Sequence, residues 1–199
     1  MSYDAMVADV LAWMDARGMA RVTLLGHSMG GKVAMLLACR NSGRVERLIV
    51  VDIAPKDYRW AAHRAEFAAM NELDLSHLQS RAEAEMRFEA RVDDWAMRKF
   101  LTTNLERNAD GGGWRWTVNL PVLTKALEEL ERSSVREGDR FDGPVLFVMG
   151  ERSNYVQRED WERSKTIFPR AEFRVVNGAG HNPHMETRGE FVRVVIAGG

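Results

Sequence analysis

The sequence has a single cysteine, almost no net charge and no long hydrophobic run. Cys39 cannot form an internal disulfide, and its apolar neighbours indicate a buried thiol in a reducing, cytoplasmic setting. The 28 lysines and arginines nearly balance 29 aspartates and glutamates, which disfavours binding to nucleic acid or to an anionic membrane. Apolar runs such as 48–51 and 145–149 are far shorter than the roughly 20 residues that span a bilayer. The start of the chain does not resemble a signal peptide either, because no apolar stretch follows a basic segment. We therefore expect a cytoplasmic protein with a small-molecule partner.

Strand-like and helix-like segments alternate in the two outer parts of the chain. Apolar residues recur at helical spacing over 3–17, and a short β-branched strand follows at 21–26. Strands are also predicted at 45–52 and 145–150, because 48–51 and 145–149 are continuously apolar, as is typical of parallel strands that are covered on both faces. The pattern predicts the α/β class, with a mostly parallel sheet and helices on both faces.

The middle of the chain has a different character. Between Pro55 and about Asp139 there is no strand-like run, but there are several helical stretches rich in alanine, glutamate and arginine. This predicts a helical insertion at 57–137 within an α/β core formed by 1–56 and 138–199. Its aromatic residues, Trp114 among them, either cover a site as a cap or fill the insertion's own small core. Both interpretations stay open.

The pentapeptide from Gly26 to Gly30 matches the pattern G-x-S-x-G and lies between a predicted strand and a predicted helix. An abrupt turn from strand to helix crowds the backbone around its central residue and therefore needs glycine on either side. Such a turn exposes the Ser28 hydroxyl at a helix N-terminus, where negative charge is favoured. Ser28 is thus the candidate nucleophile, and the Met29 N–H is a candidate oxyanion donor.

A serine nucleophile needs a base, most often a histidine that a carboxylate orients. Among the five histidines, His181 is favoured because a glycine-rich loop carries it after the last predicted strand. The order nucleophile, acid, base along the chain also fits. His27 adjoins the nucleophile, but its side chain is expected to point away from Ser28, and His184 is expected to be structural or to line the rim.

Three stretches carry a resemblance to a known family: GHSMGG after VTLL, VDIAP after the next strand, and GAGHNPH before a closing helix. The sequence resembles the α/β-hydrolase superfamily in these stretches. VDIAPKDY, FLTTNL, the W-x-W-x-x-NLP segment and GERSNYV further resemble small helical-capped bacterial carboxylesterases and their mitochondrial relatives. The resemblance implies an ester substrate and no cofactor or metal. It also implies substrate contacts at His27, Ser153, Tyr155 and Trp114.

The catalytic acid departs from the usual pattern of that superfamily. The superfamily usually has its acid shortly after the strand that corresponds to 145–149, and Ser153 stands where aspartate is common. In the esterase branch the acid can come from the end of the preceding strand, which corresponds to Asp52. Glu151 is the alternative acid, and Asp52 could instead cap the turn before Pro55.

The start of the chain departs from the family as well. Only 27 residues precede Ser28, and they contain no His-Gly motif for the second oxyanion donor. The resemblance implies an N-terminally truncated, partial α/β-hydrolase fold. The nucleophile strand would then form an exposed sheet edge, which favours self-association.

The leading functional hypothesis is a serine hydrolase that cleaves small acyl esters through an acyl-enzyme. Thioester, lactone or carbon–carbon bond hydrolysis would use the same residues, because the fold does not determine the substrate. The hypothesis from another class is a catalytically impaired fragment that acts as a binding module or has no function of its own.

Overall fold

The computed structural model describes residues 1–109 and 111–197, so residue 110 of the predicted insertion and residues 198–199 of the predicted core lie outside the described residues. The helices are α1 (Tyr3–Ala16), α2 (Met29–Arg40), α3 (Ala61–Glu72), α4 (Arg81–Phe88), α5 (Trp95–Thr102), α6 (Leu120–Glu131), α7 (Glu159–Ile167), α8 (Pro183–Glu186) and α9 (Arg188–Ala197). The strands are β1 (Val22–His27), β2 (Val45–Val51), β3 (Leu105–Arg107), β4 (Trp114–Trp116), β5 (Val145–Gly150) and β6 (Ala171–Val176).

The chain divides into two compact units. The first unit consists of Met1–Tyr58 and Arg132–Gly199, and the second consists of Arg59–Glu131. The first unit contains the parallel sheet, and the second contains α3 to α6 with a short antiparallel hairpin of β3 and β4. The sequence predicts the insertion at 57–137, a slightly longer stretch than the second unit.

The hairpin in the second unit corrects one expectation. The sequence shows no strand-like run in the middle of the chain, yet Leu105–Arg107 pairs with Trp114–Trp116 in antiparallel register. Each strand is only three residues long, and alternation over three residues is too short to be recognised as a strand pattern.

The sheet of the first unit has the order β1-β2-β5-β6, and each neighbouring pair is parallel. Val50 faces α2, since a side chain at Gly31 would contact it, whereas Ile49 and Val51 pack with Phe191 of α9 on the other face. Helices therefore cover both faces of the sheet. The predicted α/β class with a mostly parallel sheet is confirmed.

Burial differs sharply between the central and the outer strands. Every residue of β5 and most residues of β2 are buried. Along β1, in contrast, Leu25 exposes 46% of its surface. In the part of the chain that the structure describes, β1 has a neighbouring strand on one side only.

Side-chain caps explain where several helices begin. Ser2 accepts a hydrogen bond from the backbone N–H of Ala5 at the start of α1, and Ser80 does the same for Glu83 at the start of α4. Asp94 accepts from Ala96 at 2.7 Å at the start of α5. Each cap satisfies an N–H that the first helical turn leaves without a partner.

Each unit has its own apolar core. In the second unit the core residues are contributed by α3 to α6, the loops and β3: Ala69, Met70, Leu73, Leu78, Ala84, Phe88, Val92, Leu101, Leu105 and Leu120. Trp114 and Trp116 pack against this cluster as partly buried side chains. Among the described residues no helix combines the length and apolar character needed to cross a membrane.

Candidate active site

Ser28 lies in a sharp turn between β1 and α2. Its backbone has φ 53° and ψ −122°, a conformation that residues other than glycine rarely adopt. The turn depends on glycine, because a Cβ at Gly26 would collide with the backbone of Gly30, and one at Gly31 would lie 2.6 Å from the Ile53 side chain. The chain thus presents the Ser28 hydroxyl at the carboxyl end of β1.

The structure brings three side chains together at the carboxyl ends of strands of the parallel sheet. Ser28 follows β1, Asp52 follows β2, and His181 lies in the loop after β6. His181 Nε2 is 3.0 Å from Ser28 Oγ, and His181 Nδ1 is 2.7 Å from Asp52 Oδ2. A carboxylate only accepts hydrogen bonds, so Nδ1 carries the hydrogen and Nε2 is free to accept one from the serine.

Asp52 is buried and its hydrogen-bonding capacity is used. Its side chain is 0% exposed, and Oδ1 accepts from the Gly150 N–H at 3.1 Å. The residue has φ 52°, the same unusual backbone region as Ser28. Glu151, the alternative acid, instead accepts a 2.7 Å hydrogen bond from the Gly178 N–H. The carboxylate that reaches the His181 ring is thus Asp52.

Ser153 and Tyr155 contact two of the three side chains, Asp52 and His181. The Ser153 hydroxyl donates to Asp52 Oδ2, the oxygen that also accepts from His181, and receives the Tyr155 N–H at 3.2 Å. The Tyr155 ring stacks on the His181 imidazole, with centroids 3.7 Å apart and planes inclined by 16°. Tyr58 donates its hydroxyl to the Tyr155 carbonyl at 2.9 Å. These contacts restrict the orientation of the imidazole.

His27 makes a backbone contact next to the triad. Its Nε2 is 2.7 Å from the carbonyl oxygen of His181, so this nitrogen carries a hydrogen and donates it. Burial lowers the pKa of His27, while the His181 carbonyl opposes that shift. The His184 ring lies 4.7 Å from that of His27, and its Nδ1 is buried without a hydrogen-bond partner.

Two further predicted site residues, Met29 and Trp114, belong to different units of the chain. Met29 is the first residue of α2, where backbone N–H groups have no partner within the helix. Trp114 belongs to the second unit, where its ring lies 4.8 Å from the Arg107 guanidinium.

Cys39 is partly buried, and burial raises the pKa of its thiol to about 12, so it is a poor nucleophile.

Glu186 is a further polar residue at the site that sequence reasoning missed. Its carboxylate accepts the N–H groups of Gly180 and Asn182, on either side of His181. A glutamate five positions after the histidine carries no local pattern that would have revealed this contact. Within the described residues no group of three or more His, Cys, Asp or Glu side chains is arranged to bind a metal ion.

Comparison with known proteins places this geometry in a family. The family model described as "Alpha/beta hydrolase family" matches residues 1–194. The chain is 35% identical to the sn-1-specific diacylglycerol lipase ABHD11 of Mus musculus over 98% of its own length and 64% of that relative. It is 33% identical to the esterase YbfF of Escherichia coli, over 98% of this chain and 74% of the relative.

A solved structure gives the same result. The structure titled "Marine microorganism esterase" superimposes with a TM-score of 0.94 at 32% identity, covering 99% of this chain and 77% of the other. The chain thus spans less than two thirds of the mouse relative and about three quarters of the two others. The predicted resemblance is confirmed, and the chain belongs to the α/β-hydrolase family.

Proposed function

We propose that this chain is a serine hydrolase that cleaves small carboxylic esters through an acyl-enzyme intermediate. The observation that carries the proposal is the continuous chain of hydrogen bonds from Ser28 through His181 to Asp52, at 3.0 and 2.7 Å. A nucleophile, a base and an orienting carboxylate in this order are the requirements of acyl transfer. The names of the relatives, esterase and lipase, support the same reaction class.

In the proposed mechanism His181 is the general base. Its Nε2 accepts the Ser28 hydroxyl proton as Oγ attacks the carbonyl carbon of the ester. Asp52 stabilises the imidazolium that forms, and its bond to Nδ1 keeps the ring in the reactive tautomer. His181 then donates the proton to the leaving alcohol, and the acyl group remains on Ser28.

The negative charge of the tetrahedral intermediate needs donors that are already in position. Met29 begins a helix of 12 residues, so its N–H and the positive end of the helix dipole favour an oxyanion beside Ser28. Water activated by His181 then hydrolyses the acyl-enzyme and restores the free serine. The same residues would serve thioester or lactone substrates, and the ester is favoured here by the names of the relatives.

The proposal is tested with p-nitrophenyl acetate and butyrate. Ser28→Ala removes the nucleophile, and we expect kcat to fall by at least about 10³-fold, since triad members act as a unit. Ser42→Ala is the matched control, because Ser42 lies exposed in the turn Ser42–Arg44 and is expected to leave turnover unchanged. Equal turnover by Ser28→Ala and the wild type would rule out the proposed nucleophile.

A catalytically silent fragment is the alternative from another class. A fluorophosphonate probe separates the two, because only an activated serine reacts with it. We expect stoichiometric labelling of the folded wild type and none of Ser28→Ala. Folded protein that does not react would favour the silent fragment.

Several further roles stay predictions. We propose that the second unit acts as a cap that selects the substrate, with Trp114 as a substrate contact. We also propose that His27, Ser153 and Tyr155 contact the substrate. We further propose a cytoplasmic location, without nucleic-acid or membrane partners.

A further inference from the structure

The loop that carries His181 is bound by a side chain that the triad does not include. Glu186 Oε2 accepts the Gly180 N–H at 2.7 Å, and Glu186 Oε1 accepts the Asn182 N–H at 3.0 Å. The two oxygens of one carboxylate therefore bind the amides immediately before and after His181. Hydrogen bonds to an ionised acceptor are stronger than those between neutral groups.

The surroundings of Glu186 favour the charged form that this arrangement requires. The backbone N–H of Gly180 is the main cause that lowers the pKa of Glu186; burial opposes this shift, and the N–H of Asn182 lowers the pKa further. The Arg152 guanidinium at 3.3 Å and the His181 ring are the charged or titratable groups that act on it, and both favour the carboxylate. Arg152 is largely exposed, so its ion pair contributes little by itself.

Two other contacts act on the same backbone. The Arg152 N–H donates to the Ala179 carbonyl at 2.8 Å, and His27 Nε2 donates to the His181 carbonyl at 2.7 Å. A side chain at position 180 would lie 3.1 Å from both Glu186 oxygens, so the glycine leaves room for the carboxylate. The imidazole position is thus set through its backbone as well as through its ring.

We infer that Glu186 is a positioning residue, which places His181 for proton transfer by binding the loop on both sides of it. The inference rests on the proposed function of the triad and extends it to a residue that acts through the backbone on either side of His181. Catalytic groups must lie within a fraction of an ångström of their productive geometry. Displacement by about 1 Å can cost about 10²-fold in rate.

Glu186→Gln tests the inference with the size of the side chain preserved. A carboxamide has one acceptor oxygen, so one of the two amide contacts is lost. We expect kcat for p-nitrophenyl butyrate to fall about 10- to 100-fold with KM unchanged, because the loss concerns proton transfer rather than substrate binding. Glu186→Asp retains the charge and is expected to recover part of the loss.

Glu190→Gln is the matched control. Glu190 also accepts a backbone N–H, that of Asn177 at 3.3 Å, but this contact does not adjoin His181. We expect kcat of Glu190→Gln to match the wild type. A similar loss of kcat in both variants would show a general effect on folding and overturn the inference.

A second measurement does not depend on activity. In ¹⁵N-labelled wild-type protein, the amide protons of Gly180 and Asn182 are expected to titrate together, with a midpoint below the usual range of a glutamate. In Glu186→Gln this titration disappears. Wild-type kcat in a variant that has lost the titration would overturn the inference.

If the wild-type protein neither hydrolyses the ester nor reacts with the fluorophosphonate, the proposed function fails instead. The amide titration still decides whether Glu186 binds the loop.

Discussion

Two residues of the proposed triad have strained backbones. Ser28 and Asp52 are the non-glycine residues with positive φ among those the structure describes. This region costs a residue with a side chain about 1–3 kcal/mol and is retained where the surrounding structure compensates for it. Asp52 is buried with both carboxylate oxygens in hydrogen bonds, to His181 and to Gly150. The strain coincides with the residues to which we assign chemistry.

At the same scale, Asp52→Asn distinguishes the two candidate acids. The change preserves shape but removes the charge, and an amide favours the wrong tautomer of His181. We expect kcat for p-nitrophenyl butyrate to fall by about 10³- to 10⁴-fold. Glu151→Gln is the control, since Glu151 binds the Gly178 N–H and not the imidazole. The reverse ranking of the two variants would assign the acid to Glu151.

At the scale of elements, the turn between β1 and α2 determines where the nucleophile lies. A Cβ at Gly26 would collide with the backbone of Gly30 and Gly31, which cannot move without displacing the start of α2. At Gly30, a Cβ would meet nothing within 4 Å. Of these two glycines of the motif, only Gly26 lies where a side chain would collide with the backbone.

The two glycines give a paired prediction for stability. Gly26→Ala should lower the free energy of unfolding by about 1–3 kcal/mol, as overpacking does. Gly30→Ala should leave it unchanged or raise it by up to about 1 kcal/mol, because alanine is the better helix former. Urea denaturation of both variants measures the difference. Equal stabilities would contradict the close approach at Gly26.

At the scale of the whole molecule, the feature with the widest consequence is the edge of β1 that has no neighbouring strand among the described residues. Leu25 is 46% exposed there, and an apolar groove of about 460 Å³ lies between α1, β1 and α2. Strands of parallel sheets are normally covered, and an open edge is a template for pairing with another chain. We propose that a second copy of this chain covers the edge.

Gel filtration over a range of concentrations tests self-association. We expect the wild type to elute above the 22.6 kDa of one chain, and Leu25→Lys to elute later because a charge is introduced at the edge. Val192→Lys is the control, since Val192 is 45% exposed but lies on α9. A wild type that elutes as a monomer at every concentration would contradict the proposal.

The sequence by itself was sufficient for features that depend on neighbouring residues. The G-x-S-x-G turn, the apolar parallel strands and the glycine-rich loop of His181 follow from backbone sterics and short periodicities. The hairpin of β3 and β4 was missed because three-residue strands have no readable period. The family resemblance rested on the same local motifs.

Only the tertiary structure decided which distant groups meet. Asp52 and His181 are 129 positions apart and Ser28 and His181 are 153 apart, so their contacts depend on strand order and loop paths. The choice of Asp52 over Glu151 as partner of the imidazole, and the Ser153 hydrogen bond to Asp52, depend on side-chain directions after the strands have aligned. No local pattern encodes these directions, because they result from packing between segments that are remote in sequence.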